Sequence, residues 1–180
     1  MNAPGKPGTL EEAGDGRWRL RFTRQLAHRP EKVWRAITEP GHLRAWFPQR
    51  VSGEWVTGGK LTFSSAGGGH PDFHGEVLTW APPSVLEFSW GTDVIRMEVA
   101  PAGDGGCTLT LLDTFAELGK AARDAAGWHE CLDHLAGHLG GAPPSPPGQR
   151  WAQVHPGYVE SLGPAAAAIG PPGSDGDVAG

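Results

Sequence analysis

Residues 119–140 read GKAARDAAGWHECLDHLAGHLG, the one long segment of the chain with sustained helical periodicity. Trp128, Leu132, Leu135 and Leu139 recur at steps of four, three and four, which sets them on a single stripe of a 3.6-residue helix. Glu130, Asp133 and His134 fall on the other side, where water is expected. A helix of roughly twenty residues is about 30 Å long, enough to lie across a whole sheet. Nearly everything before it reads as strands, so the spacing predicts one long helix laid over a sheet.

The strands follow from alternation. From Trp18 to His28, Leu20, Phe22 and Leu26 share one parity, as in a half-buried strand. Pro30 ends that strand and sits where a first helical turn tolerates proline, so PEKVWRAIT (30–38) reads as a short helix burying Val33, Trp34 and Ile37. A second helical turn, GHLRAWF (41–47), follows Pro40-Gly41. RVSGEWV (50–56) and KLTFSS (60–65) flank Gly58-Gly59, a dipeptide suited to a tight hairpin. After a loop at 66–71 come DFHGEVLTW (72–80), VLEFSW (85–90), VIRMEVA (94–100) and CTLTLLDTF (107–115). The class is α+β, with a curved antiparallel sheet of about seven strands wrapped around the long C-terminal helix.

Composition sets limits. At 180 residues one domain is expected, with surplus at both ends. Fifteen Lys plus Arg against 20 Asp plus Glu leaves no basic stripe of the kind phosphate backbones require, and nucleic acid is set aside as a partner. Cys107 and Cys131 read as buried, reduced thiols. MNAPGKPGTLEEAGDG (1–16) lacks an apolar signal region and no run of about 18 apolar residues occurs, so no membrane partner and a cytoplasmic location are expected.

Glycine and proline collect at the ends and draw the boundaries: a disordered segment at 1–16, a domain at 17–141, a proline-rich linker at 142–150, a short amphipathic segment at 151–163 and a disordered tail at 164–180. In WAQVHPGYVESLG, Trp151, Val154, Tyr158, Val159 and Leu162 give an apolar side that docks back on the domain or on a second copy, as in a homodimer; Pro156-Gly157 predicts a kink there.

Four stretches together, PEKVWRAITEPGHLRAWFP (30–48), GGKLTF (58–63), HGEVLTWAPPSVLEFSW (74–90) and GWHECLDHLAGHL (127–139), resemble the START-like or helix-grip superfamily, which includes the birch-pollen allergens. Within it they are similar to the domain of the heat-shock-protein-90 ATPase activator type, over roughly residues 17–141. The resemblance implies a deep apolar cavity between sheet and helix that takes lipids, polyketides and other hydrophobic molecules. Fold alone does not name a reaction. The eukaryotic co-chaperones carry a chaperone-binding domain ahead of this one, for which residues 1–16 are too short, so activation of that chaperone is not the expected role. Where relatives carry a histidine near the end of the last strand, this chain has Asp113.

Two residues are candidates for chemistry. Asp113 shares its parity with Leu109 and Leu111 and so points toward the helix, as a polar anchor or general base; the alternative is an end-of-strand residue bonding nearby amides or reaching solvent. His74 is the candidate imidazole to converge on it, the alternative being a surface histidine. Phe88, Trp90, Met97, Leu111, Trp128, Leu132 and Leu135 are the candidate ligand contacts, or ordinary core. His129 and His134 are five residues apart and diverge by about 140° on a helix; His134 and His138 have i, i+4 spacing but no third ligand in view. No phosphate loop, dinucleotide fingerprint or nucleophile elbow occurs, and neither a metal nor a cofactor is expected.

The leading expectation is binding of a small hydrophobic molecule in the sheet–helix cavity. A cyclase- or hydrolase-like enzyme on an aromatic or polyketide-type substrate comes second, and a protein-interaction module third.

Overall fold

The computed structural model describes residues 5–171. Eight strands form one antiparallel sheet: β1 (Thr9–Gly14), β2 (Arg17–Leu26), β3 (Arg50–Gly53), β4 (Lys60–Ser64), β5 (Phe73–Ala81), β6 (Val85–Trp90), β7 (Asp93–Pro101) and β8 (Cys107–Phe115). Their order is β1-β2-β8-β7-β6-β5-β4-β3. Helices α1 (Pro30–Thr38) and α2 (Pro40–Leu43) follow β2, and α3 (Ala121–Leu139) lies across the sheet, which is the helix-grip arrangement the resemblance implies.

Strand alternation sets the core. In β7, Asp93, Ile95, Met97 and Val99 are buried while the residues between them are half-covered; in β8, Cys107, Leu109, Leu111, Asp113 and Phe115 point the same way. Register stacks these layers, with Leu20 and Ile95 flanking Asp113, and Phe22 and Met97 flanking Leu111. The stripe Trp128, Leu132, Leu135 and Leu139 of α3 closes over them. Each such side chain taken out of water contributes about 1.5–3 kcal/mol.

α1 starts at Pro30 and stops at Thr38 because Pro40 holds Glu39 in extended backbone. Trp46 Nε1 donates to the Ala36 carbonyl at 2.9 Å, tying the chain after α2 to α1.

The expected disorder at 1–16 is corrected: β1 occupies Thr9–Gly14, making eight strands rather than about seven, and residues 5–8 are packed ahead of it. The glycines there allow close approach. A Cβ on Gly8 would come within 2.5 Å of the Phe22 ring, and one on Gly5 within 2.5 Å of Arg24 Nε. Residues 1–4 lie outside the described residues.

The C-terminal segment docks on its own chain as α4 (Gln149–Leu162), a single helix that runs through the Pro156-Gly157 pair at which a kink or two short turns were expected. Proline within a helix costs about 3 kcal/mol. Tertiary contacts offset it: Glu130 accepts the Arg150 and Trp151 amides at 3.0 and 3.3 Å, and Trp151 Nε1 donates to the Arg123 carbonyl at 3.1 Å. The tail is also ordered past 163, with a 3₁₀ turn at Pro164–Ala167 and the Ile169 amide bonded to the Gly119 carbonyl at 3.0 Å. The expected disorder at 172–180 falls outside the described residues.

The face of α3 expected to meet water is instead covered. His129 is buried, its Nδ1 2.9 Å from Tyr158 Oη; Tyr158 Oη accepts the Gly8 amide at 2.8 Å; Asp133 accepts the Gly5 amide at 3.3 Å and pairs with Arg150 at 2.9 Å. Arg24, buried on the inner face of β2, donates to the Lys6 carbonyl at 2.8 Å. Burial, with help from Arg24 and Arg150, lowers the pKa of His129 against the opposing pull of Asp133.

Candidate functional site

Asp113 is the strongest chemical feature of the interior. Strand parity turns it inward between Leu20 and Ile95, and it is 0 % exposed. Its Oδ2 accepts the indole N–H of Trp128 at 2.8 Å, whereas Oδ1 is buried with no partner. Burial is the main reason its pKa is pushed up to about 7; the charge of Asp93 adds, the Trp128 hydrogen bond opposes, Asp124 adds again and Lys120 opposes. A carboxyl in this state is available in both protonation forms near neutrality.

Asp93, the first residue of β7, and Asp124, in the first turn of α3, bring carboxylate oxygens within 4.8 Å of those of Asp113 and of each other. Three carboxylates are a donor set for a hard cation, but the chain supplies its own: Lys120 Nζ bonds Asp93 Oδ2 and lies 3.3 Å from Asp124 Oδ2. Burial pulls the Lys120 pKa down, yet the Asp93 hydrogen bond and the surrounding carboxylate charges outweigh it and the net shift is upward. Lys120 thus stays charged beside a carboxyl that changes charge near neutrality.

Around Asp113 the interior is aromatic. Phe47, from the connection between α2 and β3, sits at its centre, with ring centroids 5.9 Å from Trp128, 6.1 Å from Trp90, 6.2 Å from Phe88 and 6.3 Å from Phe63. Trp90 and Trp128 are 5.4 Å apart. The structure therefore gathers the expected ligand contacts Phe88, Met97, Leu111, Trp128, Leu132 and Leu135 into the buried core, with Trp90 at its edge. Two concave sites of the described residues lie elsewhere. One, of about 380 Å³, runs past Lys32, Arg35, His42 and His138; the other, of about 210 Å³, past Pro40, Arg44, Arg50 and Ser52. Neither is lined by the Trp128 stripe, against which the Phe47 ring packs.

His74 is not part of this site. It is exposed on the outer face of β5, opposite Thr62, whose Oγ1 is 3.2 Å from its Nδ1. The sheet separates it from Asp113, so an acid–base pair of the two is corrected: parity decides, since Phe73, Gly75 and Val77 turn inward and His74 outward. A bulge between Val77 and Thr79 then brings Trp80 back to the inside, against Trp34 and Trp55. His138 pairs with His42, Nε2 to Nδ1 at 2.8 Å, while His134 Nε2 has no partner, so the i, i+4 pair does not converge on a shared point.

Phe47, Asp93 and Lys120 are the residues sequence reasoning missed. The Trp46-Phe47 pair ahead of a strand was visible as a signature, but its burial is a long-range contact. Asp93 shares the parity of Ile95 and Met97, and that was its signal.

A family model described as "Activator of Hsp90 ATPase homolog 1-like protein" matches residues 27–140. Among solved structures, a conserved protein of unknown function from Enterococcus faecalis, EF2215, is 20% identical with a TM-score of 0.73, covering 86% of this chain and 90% of that one. CalU16 from Micromonospora echinospora is 21% identical in both crystal and solution structures, with TM-scores of 0.68 and 0.70; the solution structure covers 93% of this chain and 98% of that one. Among curated proteins, none matches this sequence.

Proposed function

Because this chain belongs to the family of Activator of Hsp90 ATPase homolog 1-like proteins, whose fold places a helix over a sheet, we propose that it binds a small, mainly aromatic hydrophobic molecule between its sheet and α3. The observation that carries the reading is the unpartnered Asp113 Oδ1, one of the buried polar atoms without a partner, on a carboxyl bonded to Trp128, which belongs to the aromatic cluster around Phe47. A buried acceptor without a donor costs about 1–3 kcal/mol, more when charged. A guest O–H or N–H offsets that cost when Asp113 is ionised; a guest carbonyl accepts from it when it is protonated.

Room for the guest comes from Phe47. It is held by the connection after α2, whereas its neighbours Phe63, Phe88, Trp90 and Trp128 stand on strands and on α3. Turning that ring outward costs about 2–3 kcal/mol of burial, which an aromatic guest of similar area restores. A second reading uses the same carboxyl near neutrality as the general acid or base of a cyclase- or hydrolase-like reaction; turnover, not binding, separates the two.

A cytoplasmic setting accords with both readings: Cys107 and Cys131 are unpaired, and no helix among the described residues is long and apolar enough to cross a membrane.

The test is native mass spectrometry of the purified protein for a copurified molecule, followed by titration with 1-naphthol and 2-acetylnaphthalene while tryptophan emission is read. Saturable quenching that weakens in Asp113→Leu is expected. Absence of any adduct, together with no saturable quenching, overturns the proposal.

A further inference from the structure

Two arginines line one small pocket and have nothing to bind. Among the described residues, the other arginines except Arg29 hydrogen-bond or pair with protein groups: Arg21 with Glu11, Arg35 with Glu39, Arg96 with Glu87 and Glu98, Arg150 with Asp133. Arg44, just past α2, and Arg50, at the start of β3, make no such contact, yet both face the same concavity of about 210 Å³. Ser52 and Ser64 line it too, with no hydrogen bond from either hydroxyl. Register explains the convergence. Ser64 stands directly opposite Arg50, and Ser52 is two residues on, hence on the same face of β3. No acidic side chain lines the pocket.

In a chain of net charge −5, two guanidinium groups brought together without a carboxylate are a repulsive arrangement that an anion would relieve. We infer that this pocket binds the phosphate group of a small phosphorylated molecule. Two planar forks and two hydroxyls offer more donors than the two oxygens of a carboxylate use, and a phosphate monoester presents three free oxygens to them. Pro40 gives its carbon portion an apolar edge. Arg44, Arg50 and Ser52 are exposed, so binding is salt-dependent. Nothing in this site depends on the interior around Asp113.

The experiment is an isotope-edited NMR titration of the full chain with inorganic phosphate and with phenyl phosphate, following the Ser52 and Ser64 amides, in native protein and in the Arg44→Ala, Arg50→Ala double variant. Both side chains are exposed, and an unchanged Tm verifies that the variant folds. Saturable shifts with both phosphates, weakened at least ~10-fold in the double variant and by added salt, are expected. Acetate serves as the carboxylate control and is expected to bind more weakly. Cosedimentation with phosphatidic acid vesicles, but not phosphatidylcholine vesicles, that is lost in the double variant keeps the site and assigns its phosphate to a lipid headgroup. Shifts that do not saturate, or that persist unchanged in the double variant, overturn the inference.

Discussion

The indole N–H of Trp128 is bonded at 2.8 Å to one oxygen of Asp113 while the other oxygen is buried without a partner, so the central carboxyl of the core is half satisfied. Burial, with the charge of Asp93 added, sets its protonation. In the unfolded chain Asp113 ionises near 3.8, and in the folded protein near about 7. Between these values the folded state holds the extra proton, so stability falls as pH rises through the window and levels off above it. The full shift corresponds to about 4 kcal/mol at most. Urea unfolding of native protein and Asp113→Asn from pH 4 to pH 8 measures the difference, which should favour the variant progressively with pH. A difference that does not change with pH would refute the assignment.

Trp128 should report the same titration. Protonating Asp113 changes the charge next to its indole, so part of the tryptophan emission is expected to follow a transition near about pH 7. Trp128→Phe and Asp113→Asn should each abolish that component. Its survival in Asp113→Asn would place the titrating group elsewhere, and its survival in Trp128→Phe would assign the signal to another indole.

Lys120 is expected to stabilise the fold. Its ammonium lies between Asp93 and Asp124, and its removal in Lys120→Met leaves the buried Asp93 carboxylate without its cation. Breaking a buried pair from one side costs about 3–5 kcal/mol. Thermal unfolding of native protein and Lys120→Met should show the loss, and an unchanged Tm would refute it.

Tyr158→Phe removes the hydroxyl that accepts the Gly8 amide and meets His129. A cost of about 1–3 kcal/mol is expected. Amide exchange should accelerate at Gly8 and along β1 more than in β7. Uniform acceleration would argue that residues 5–8 are held by other contacts.

Truncation after Gly141 removes α4 and uncovers His129, Glu130 and Asp133. The truncated protein is expected to unfold at a lower temperature and to bind 8-anilinonaphthalene sulfonate. A dimer arm, by contrast, would leave a stable monomer on truncation, and sedimentation velocity distinguishes the two outcomes.

The fold was readable because alternation and helical spacing are local signals. Leu109, Leu111, Asp113 and Phe115 share a parity that fixes the inward direction of Asp113, and the Trp128 stripe fixes the face of α3. Arg24 shares the parity of Leu20 and Phe22, yet charge argues against an inward guanidinium until its partners from residues 5–8 are known. The bulge at Val77 defeats simple counting, by which Trp80 shares a face with His74. Phe47 is the largest miss, because which ring fills a space is decided by packing between distant segments. Composition misled at the ends: Gly5 and Gly8 are glycines of close contact, indistinguishable by count from those of loose chain.

The bond between Gly8 and Tyr158 spans 150 positions in the chain. During synthesis the first strand therefore leaves the ribosome long before the hydroxyl that anchors it exists. Until α4 emerges, residues 5–8 have neither Tyr158 nor Arg150 in place, and the nascent protein carries His129 and Asp133 uncovered. A helix translated late among the described residues thus holds the segment just ahead of β1, so a stalled or prematurely terminated chain should present an unfinished surface to chaperones and proteases, whatever the state of the sheet beneath it.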